Sequence, residues 1–246
     1  MLILGTDTSG KHGSVALVQC DGERLRTVEL VPLQGGTFSA QMIPQIAELL
    51  SKHNMSKAEI DGFAVASGPG SFTGLRVGLA AIKALAEVLE KPIAAVSLLE
   101  VMAFELRSGG SSDSCQKERE VEHPISKELV GVLVALDAGR NEVYVGEYKI
   151  DEDVPACMAE SLLAFDELAK RGQEPGRSMF TPDENVITTL SGRDAGVLRV
   201  PRPNAVSVAR LGYKKILAGL TVSPLELDAN YIRRADAEIK TVRKPA

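Results

Sequence analysis

Residues 67–78, SGPGSFTGLRVG, constrain the fold of this chain more than any other stretch. An apolar run over residues 62–66 leads into it, and a long Ala- and Leu-rich segment follows it. This order predicts a strand, a tight glycine-rich connection and then a helix. Open α/β sheets bind ligands and partners where strand ends meet helix N-termini. A tight connection that binds nothing explains these features equally well.

A second polar turn lies at residues 7–9, directly after the first apolar run. An acidic residue and two hydroxyls at a strand end could hold magnesium and phosphate together with the glycine-rich stretch. Asp at a strand end is also a common turn residue, and Ser71 or Thr73 also suits a helix N-cap. The candidate nucleotide-binding residues are Asp7, Thr8, Ser9, Gly68, Gly70, Ser71 and Thr73.

Residues 5–11, GTDTSGK, have the glycine and lysine spacing of a P-loop but do not predict one. His12 follows Lys11 where a P-loop carries Ser or Thr for magnesium. A strand is predicted next instead of a helix, so the helix N-terminus that would bind phosphate is missing.

The first 106 residues predict a ribonuclease-H-like unit. Asp21-Gly22 is a strong hairpin signal between the second and third apolar runs, so an antiparallel meander comes first. Parallel strands joined by crossover helices follow it. The predicted strands are 1–6, 14–19, 24–31, 62–66 and 92–96, and the predicted helices are 39–53, 73–90 and 98–106.

The second half of the chain weakly repeats the pattern of the first strand and its turn. Residues 129–136 form an apolar run that ends in Asp137 and a glycine turn, as the first run ends in Asp7. We therefore predict an α/β fold of two lobes, residues 1–106 and 107–246, each a mixed sheet with a meander and crossover helices. Further elements expected in the second lobe are a strand at 142–150, a helix at 161–171, a strand at 185–191 and a helix at 206–217.

Two polar segments flank the second lobe. Residues 108–123 begin as a Gly-, Ser- and charge-rich stretch and predict a flexible surface loop between the lobes. The basic end of the chain, with a tail at residues 235–246, is either solvated or a contact to RNA phosphates. Arg233 and Arg234 are the candidate tRNA contacts.

Composition excludes several function classes. A net charge of −5 and an aromatic content of 4% without Trp argue against a surface that binds nucleic acid unaided. Three dispersed cysteines and the absence of a signal-like N-terminus or an apolar membrane span predict a cytoplasmic protein with no membrane contact. The three histidines stand singly, so no metal site is expected, and no nucleophile–base set is visible.

The predicted helix at 73–90 is more apolar than a helix with one wet face needs. Its charged residues fall on one narrow stripe, and Gly74, Gly78, Ala81 and Ala84 would let another helix approach closely. Burial inside the monomer and a subunit interface are both consistent with this pattern.

These motifs resemble the TsaB (YeaZ) family of bacterial tRNA threonylcarbamoyladenosine biosynthesis proteins. The resemblance covers ILGTDTS at the N-terminus, SGPGSFTGLRVG and residues 95–100, and resumes at 136–144 and at Tyr231-Ile232-Arg233-Arg234. It implies a fold of two ribonuclease-H-like lobes of the actin/Hsp70/sugar-kinase type.

The resemblance also implies a role. Family members have no catalytic machinery of their own, pair with the TsaD transferase and the TsaE ATPase, and form homodimers when alone. The complex transfers threonylcarbamoyl from its adenylate to the adenosine beside the tRNA anticodon. We expect no tightly bound cofactor, with any ATP or ADP and magnesium shared at the TsaD interface, and tRNA contact only through the complex.

By the same resemblance, the partner interface is expected on helices 39–53 and 73–90. Its predicted residues are Met42, Ile46, Leu50, Arg76, Gly78, Ala81, Lys83 and Ala84. One departure is Phe38, where the family usually has histidine ahead of the first of these helices.

Two alternative functions remain open at the level of sequence. One is an autonomous ATP-dependent kinase or metal-independent peptidase on the same fold, which would need a preformed phosphate site or a nucleophile. The other is a homodimeric interaction module with no link to tRNA. Binding of Mg-ATP separates the first, and loss of the modified nucleoside on depletion separates the second.

Overall fold

The computed structural model describes residues 1–107, 131–150, 153–174, 177–193 and 195–233. Within these ranges the chain forms two five-stranded mixed sheets and six α-helices. The predicted loop at 108–123, the tail at 235–246 and Arg234 lie outside the described residues.

The N-terminal sheet begins with the predicted antiparallel meander. Strand β1 pairs with β2 and β2 with β3 in antiparallel fashion, while β4 and β5 run parallel to β1. The strand order is therefore β3-β2-β1-β4-β5. The strands are β1 (Leu2–Asp7), β2 (His12–Asp21), β3 (Arg24–Gln34), β4 (Gly62–Gly68) and β5 (Ile93–Ser97), and the helices between and after them are α1 (Phe38–Lys52), α2 (Phe72–Leu89) and α3 (Leu98–Arg107).

The C-terminal sheet repeats this arrangement. Its order is β10-β9-β6-β7-β8, with β6, β7 and β8 antiparallel and β9 and β10 parallel to β6. Its elements are β6 (Gly131–Gly139), β7 (Glu142–Lys149), β8 (Ala156–Ala164), α4 (Phe165–Gly172), β9 (Arg177–Thr181), α5 (Glu184–Ser191), β10 (Val197–Arg199) and α6 (Ala205–Leu217). The predicted fold class is confirmed, because both sheets have the same order and the same mixture of pairings.

Three apolar cores hold the elements in five layers. One core joins α1 and α2 to the N-terminal sheet, and another joins α4 and α5 to the C-terminal sheet. The third lies between the sheets and is filled by α3 and α6. Helix α6 packs closely on the N-terminal sheet, since a Cβ at Gly212 would overlap the Cβ of Ala64. The last helix of each half thus packs between the lobes.

Two predicted elements of the C-terminal lobe are wrong. The predicted helix at 161–171 begins only at Phe165, because residues before it extend β8 along the edge of the sheet. The predicted strand at 185–191 is helix α5: β-branched residues favour a strand, but Val186 and Leu190 are spaced to bury one helical face.

The two helices predicted as an interface each begin one residue earlier than expected. Helix α1 covers residues 38–52 and carries Pro44 within it, and α2 covers residues 72–89. No helix in the described ranges has the length and apolar character needed to cross a bilayer.

Candidate functional site

The glycine-rich stretch packs directly on the polar turn at the end of β1. A Cβ added at Gly70 would overlap the carbonyl of Ser9, and one added at Gly74 or Gly78 would overlap Thr8. The three glycines are four residues apart, so those at 74 and 78 lie on one face of α2. The amide of Ser71 donates a hydrogen bond of 2.6 Å to the Ser9 carbonyl. The glycines therefore serve a close contact within the chain.

Asp7 is buried at the centre of this contact. Its Oδ1 accepts hydrogen bonds from the Ser9 amide at 2.9 Å and the Ser9 hydroxyl at 2.6 Å. Burial raises the pKa of the Asp7 carboxyl above its ordinary value, and the two Ser9 hydrogen bonds and the charge of Arg202 partly oppose this. The Asp7 carboxylate thus stabilises the turn at residues 7–9.

The structure brings the seven candidate nucleotide-binding residues together, but mainly as packing. Thr8 and Ser9 are buried, while Gly70, Ser71 and Thr73 are exposed at the start of α2. The Ser71 hydroxyl accepts a hydrogen bond from the Gly74 amide at 3.3 Å, which confirms the predicted N-cap. In the part of the chain that the structure describes, no group of three His, Cys, Asp or Glu residues could hold a metal ion. Nucleotide binding stays a prediction.

An apolar groove of about 500 Å³ runs between α1 and α2. Ile43 and Phe72 are its exposed apolar side chains, with 46% and 44% of their surface accessible. Its other walls are small or partly buried, and Arg76 is its one charged lining residue. The lining residues are Phe38, Ser39, Met42, Ile43, Phe72, Thr73, Arg76, Val77, Ala80 and Ala81. This groove is the surface of the two helices that a partner could contact.

The face predicted for that interface needs correction. Met42, Ile46 and Leu50 are at most 6% exposed and belong to the core between the helices and the sheet. Gly78 is buried against Thr8. Helical spacing marked an apolar stripe on α1, but most of that stripe faces the monomer's own sheet. Ile43, which is not among the predicted interface residues, is the exposed apolar side chain of α1 in this groove.

The other predicted interface residues lie at or near the surface. Arg76 and Ala84 are exposed, and Ala81 and Lys83 are half-buried. Phe38, the departure from the family pattern, is 5% exposed, and its ring fills the space beside Gly13 and Gly74. A phenyl ring at this position therefore contributes to the core.

A second cavity, of about 360 Å³, lies where the two lobes meet beside the glycine-rich stretch. It is lined by Pro69, Gly70, Phe72, Leu75, Arg140, Tyr144, Asn230, Tyr231, Ile232 and Arg233. Arg233 donates to the Ala138 carbonyl at 3.0 Å and pairs with Glu142 at 2.5 Å. As a candidate tRNA contact it thus already has partners, and Arg234 lies outside the described residues.

Glu160 on β8 joins the lobes through a hydrogen-bonded cluster. It accepts from the hydroxyls of Ser97 and Tyr148 and, at 2.5 Å, from the amide of Asn230. Ser97 ends β5 of the N-terminal sheet, and Asn230 donates its backbone amide to the Ser67 carbonyl at 2.7 Å. Sequence reasoning missed this cluster because its members are far apart in the chain.

The sequence matches the family model described as TsaD, tRNA N6-adenosine threonylcarbamoyltransferase, over residues 35–227. This match covers more than half of the chain. The protein belongs to the TsaD family. Relatives similar along the whole length are tRNA threonylcarbamoyladenosine biosynthesis proteins TsaB. That of Haemophilus influenzae is 26% identical over 95% of this chain and 94% of the relative, and that of Bacillus subtilis is 28% identical over 98% of both.

A solved structure described as YeaZ from Pseudomonas aeruginosa has the same fold. It superposes with a TM-score of 0.67 at 21% identity, covering 93% of this chain and 100% of that one. The expected resemblance to the TsaB (YeaZ) family is therefore confirmed, together with the two-lobed actin-like fold.

Proposed function

We propose that this TsaD-family protein is a non-catalytic subunit in the synthesis of threonylcarbamoyladenosine in tRNA. It binds a TsaD transferase and supports transfer of the threonylcarbamoyl group from its adenylate to the adenosine beside the anticodon. The names of its full-length relatives support the pathway. The observation that carries the subunit role is the exposed apolar groove between α1 and α2.

The groove has the chemistry of a protein-docking site. Exposed Ile43 and Phe72 flank small residues, so a helix packed there would bury apolar area, with Arg76 as the one charged group to be matched by the partner. Ala80 on α2 is exposed and small enough for close helix approach. A second copy of this chain could occupy the same groove when the transferase is absent, which would give the homodimers that the resemblance implies.

The described residues do not by themselves fit a magnesium–nucleotide site. The Asp7 carboxylate is buried and accepts both Ser9 hydrogen bonds, and Gly70 and Gly74 lie against the backbone of the same turn. In our proposal, ATP or ADP with magnesium is therefore shared with the transferase rather than held by this chain alone. TsaE and tRNA join through the complex.

Reconstitution with TsaD and TsaE from the same organism tests the proposal. Threonylcarbamoyladenosine measured by mass spectrometry should form with wild-type protein and fall at least tenfold with Ala80→Glu, since a carboxylate would be buried in the apolar groove. Ala218→Glu, the same change at an exposed position after α6, is the matched control and should act as wild type.

Full activity without this chain would overturn the proposal. Hydrolysis of Mg-ATP by the isolated protein would favour the autonomous enzyme instead. Circular dichroism of Ala80→Glu shows whether the fold is retained, which separates a docking defect from unfolding.

A further inference from the structure

Arg76 is the one charge in the apolar groove, and the described residues offer it no carboxylate. Its guanidinium carbon lies 3.8 Å above the Phe72 ring, and its Nε donates to the Tyr231 hydroxyl at 3.0 Å. Neither contact neutralises its charge. Among the described residues this cation therefore lies on an apolar face with no carboxylate beside it. An apolar partner surface that carries a carboxylate complements such a groove.

Tyr231 restricts the orientation of this guanidinium. The Tyr231 and Phe72 rings contact each other at a tilt, with centroids 5.1 Å apart, so the aromatic pair and the Nε hydrogen bond together restrict Arg76. With Nε used and one face on Phe72, the two terminal amino groups remain for a partner. A guanidinium that is already ordered loses less conformational entropy when it forms an ion pair.

The chain segment that carries Tyr231 is anchored on both lobes. We define residues 220–233 as the C-terminal segment. Val222 pairs with Ile93 on β5, and Leu227 is buried in the N-terminal core. At the far end, Arg233 binds the hairpin between β6 and β7 through the Ala138 carbonyl and Glu142. Tyr231 therefore holds a position that depends on both lobes.

We infer that Arg76 is the specificity-determining residue of the docking groove, where it pairs with a carboxylate on an apolar helix of the transferase. Tyr231 is its positioning residue, because it orients the guanidinium without lining the groove itself. This inference rests on the proposed function, since it names the chemistry that the docking partner presents. It predicts that the affinity for the transferase depends on salt concentration and that this dependence comes from Arg76.

The test measures affinity of the full-length protein for purified TsaD by titration calorimetry over a series of salt concentrations. Arg76→Gln should weaken binding about tenfold and flatten its salt dependence, since one interfacial charge pair is lost. Arg76→Lys should recover only part of the affinity, because lysine retains the charge but lacks the two amino groups with which a guanidinium binds both carboxylate oxygens. Tyr231→Phe should weaken binding about threefold and keep the salt dependence, because the charge remains.

Arg171→Gln is the matched control. Arg171 forms an exposed helical pair with Glu167 on the opposite side of the molecule, so its loss should leave affinity and salt dependence unchanged. In a charge-swap experiment, each surface carboxylate of the transferase is changed to lysine in turn and tested for binding to the Arg76→Glu variant of this protein. One such change should restore binding.

Wild-type affinity and salt slope in Arg76→Gln would overturn the inference while leaving the proposed function intact. Absence of binding by the wild-type protein would instead overturn the proposed function. If Arg76→Gln reduces self-association but leaves TsaD binding unchanged, the carboxylate belongs to a second copy of this chain, and the assignment to the transferase is wrong.

Discussion

The two lobes have the same strand order but differ in their outer helices. In the N-terminal lobe, α1 has 15 residues and α2 has 18, whereas α4 and α5 of the C-terminal lobe have 8 residues each. The long pair encloses an exposed apolar groove, and the short pair covers its own sheet. Of the two lobes, only the N-terminal one thus presents, among its described residues, the apolar groove that we propose as the docking surface.

The turns at the ends of the first strands differ in the same way. Asp7 at the end of β1 is buried beneath the glycine-rich stretch, whereas its equivalent Asp137 at the end of β6 is exposed. Asp137 accepts hydrogen bonds from the Gly139 amide at 2.8 Å and from Asn185 at 2.9 Å. In the N-terminal lobe α2 starts so close to the turn that a Cβ at Gly74 would overlap Thr8, whereas the start of α5 meets its turn through the side chains of Asp183 and Asn185.

The glycine contact gives the largest expected effect. Gly74→Val should lower the free energy of unfolding by about 3 kcal/mol or more, because its Cβ would overlap the Thr8 carbonyl, which cannot move without disturbing β1. Gly192→Val in the C-terminal lobe is the matched change, since the nearest atom to its Cβ is 3.7 Å away. We expect it to cost less than about 1 kcal/mol. Urea denaturation measures both, and equal losses would contradict the difference between the lobes.

The Glu160 cluster, which joins the lobes, gives the next largest effect. Glu160→Ala should cost about 2 kcal/mol in chemical denaturation, because the hydroxyls of Ser97 and Tyr148 lose their acceptor. Glu167→Ala removes an exposed carboxylate of the same lobe and should change stability by less than about 0.5 kcal/mol. A variant at Glu160 as stable as this control would show that the cluster does not join the lobes.

The N-cap of α2 gives a smaller effect. Ser71→Ala should cost about 1 kcal/mol, because its hydroxyl accepts the Gly74 amide. The Asp183 side chain at the equivalent N-cap of α5 makes no capping hydrogen bond. Hydrogen exchange should show faster opening of the first turn of α2 only. Unchanged exchange there would mean that the packing on Thr8 alone holds the helix start.

The smallest effect is expected on the dependence of stability on pH. Burial raises the pKa of Asp7 in the folded state, so this carboxyl favours folding below its unfolded pKa, and that contribution is lost as pH rises through the folded pKa. Asp7→Asn should remove this decline, which begins above the ordinary Asp pKa of about 4, and should still support threonylcarbamoyladenosine formation. Exposed Asp137→Asn controls for loss of a charge. A steeper decline in Asp7→Asn, or loss of activity, would favour a ligand role for Asp7.

Much of the N-terminal lobe could be predicted from sequence because its signals are local. The Asp21-Gly22 hairpin, the Ser71 cap and the alternation of short strands and long helices act over a few residues. The C-terminal lobe was harder to predict, since β8 is an exposed edge strand with little apolar pattern and α5 is rich in β-branched residues. Their structures depend on the sheet beside them.

The sequence by itself determined the fold class, the family and the pair of helices that enclose the apolar groove. Tertiary structure alone decided which face of those helices is free. Periodicity locates an apolar stripe on a helix but does not say what packs against that stripe, and here the N-terminal sheet does. It also decided that Arg76, Tyr231 and Phe72 meet, because Arg76 and Tyr231 are 155 residues apart in the chain. Local pattern carries no information about contacts at that separation, since only the packing of both lobes brings them within reach.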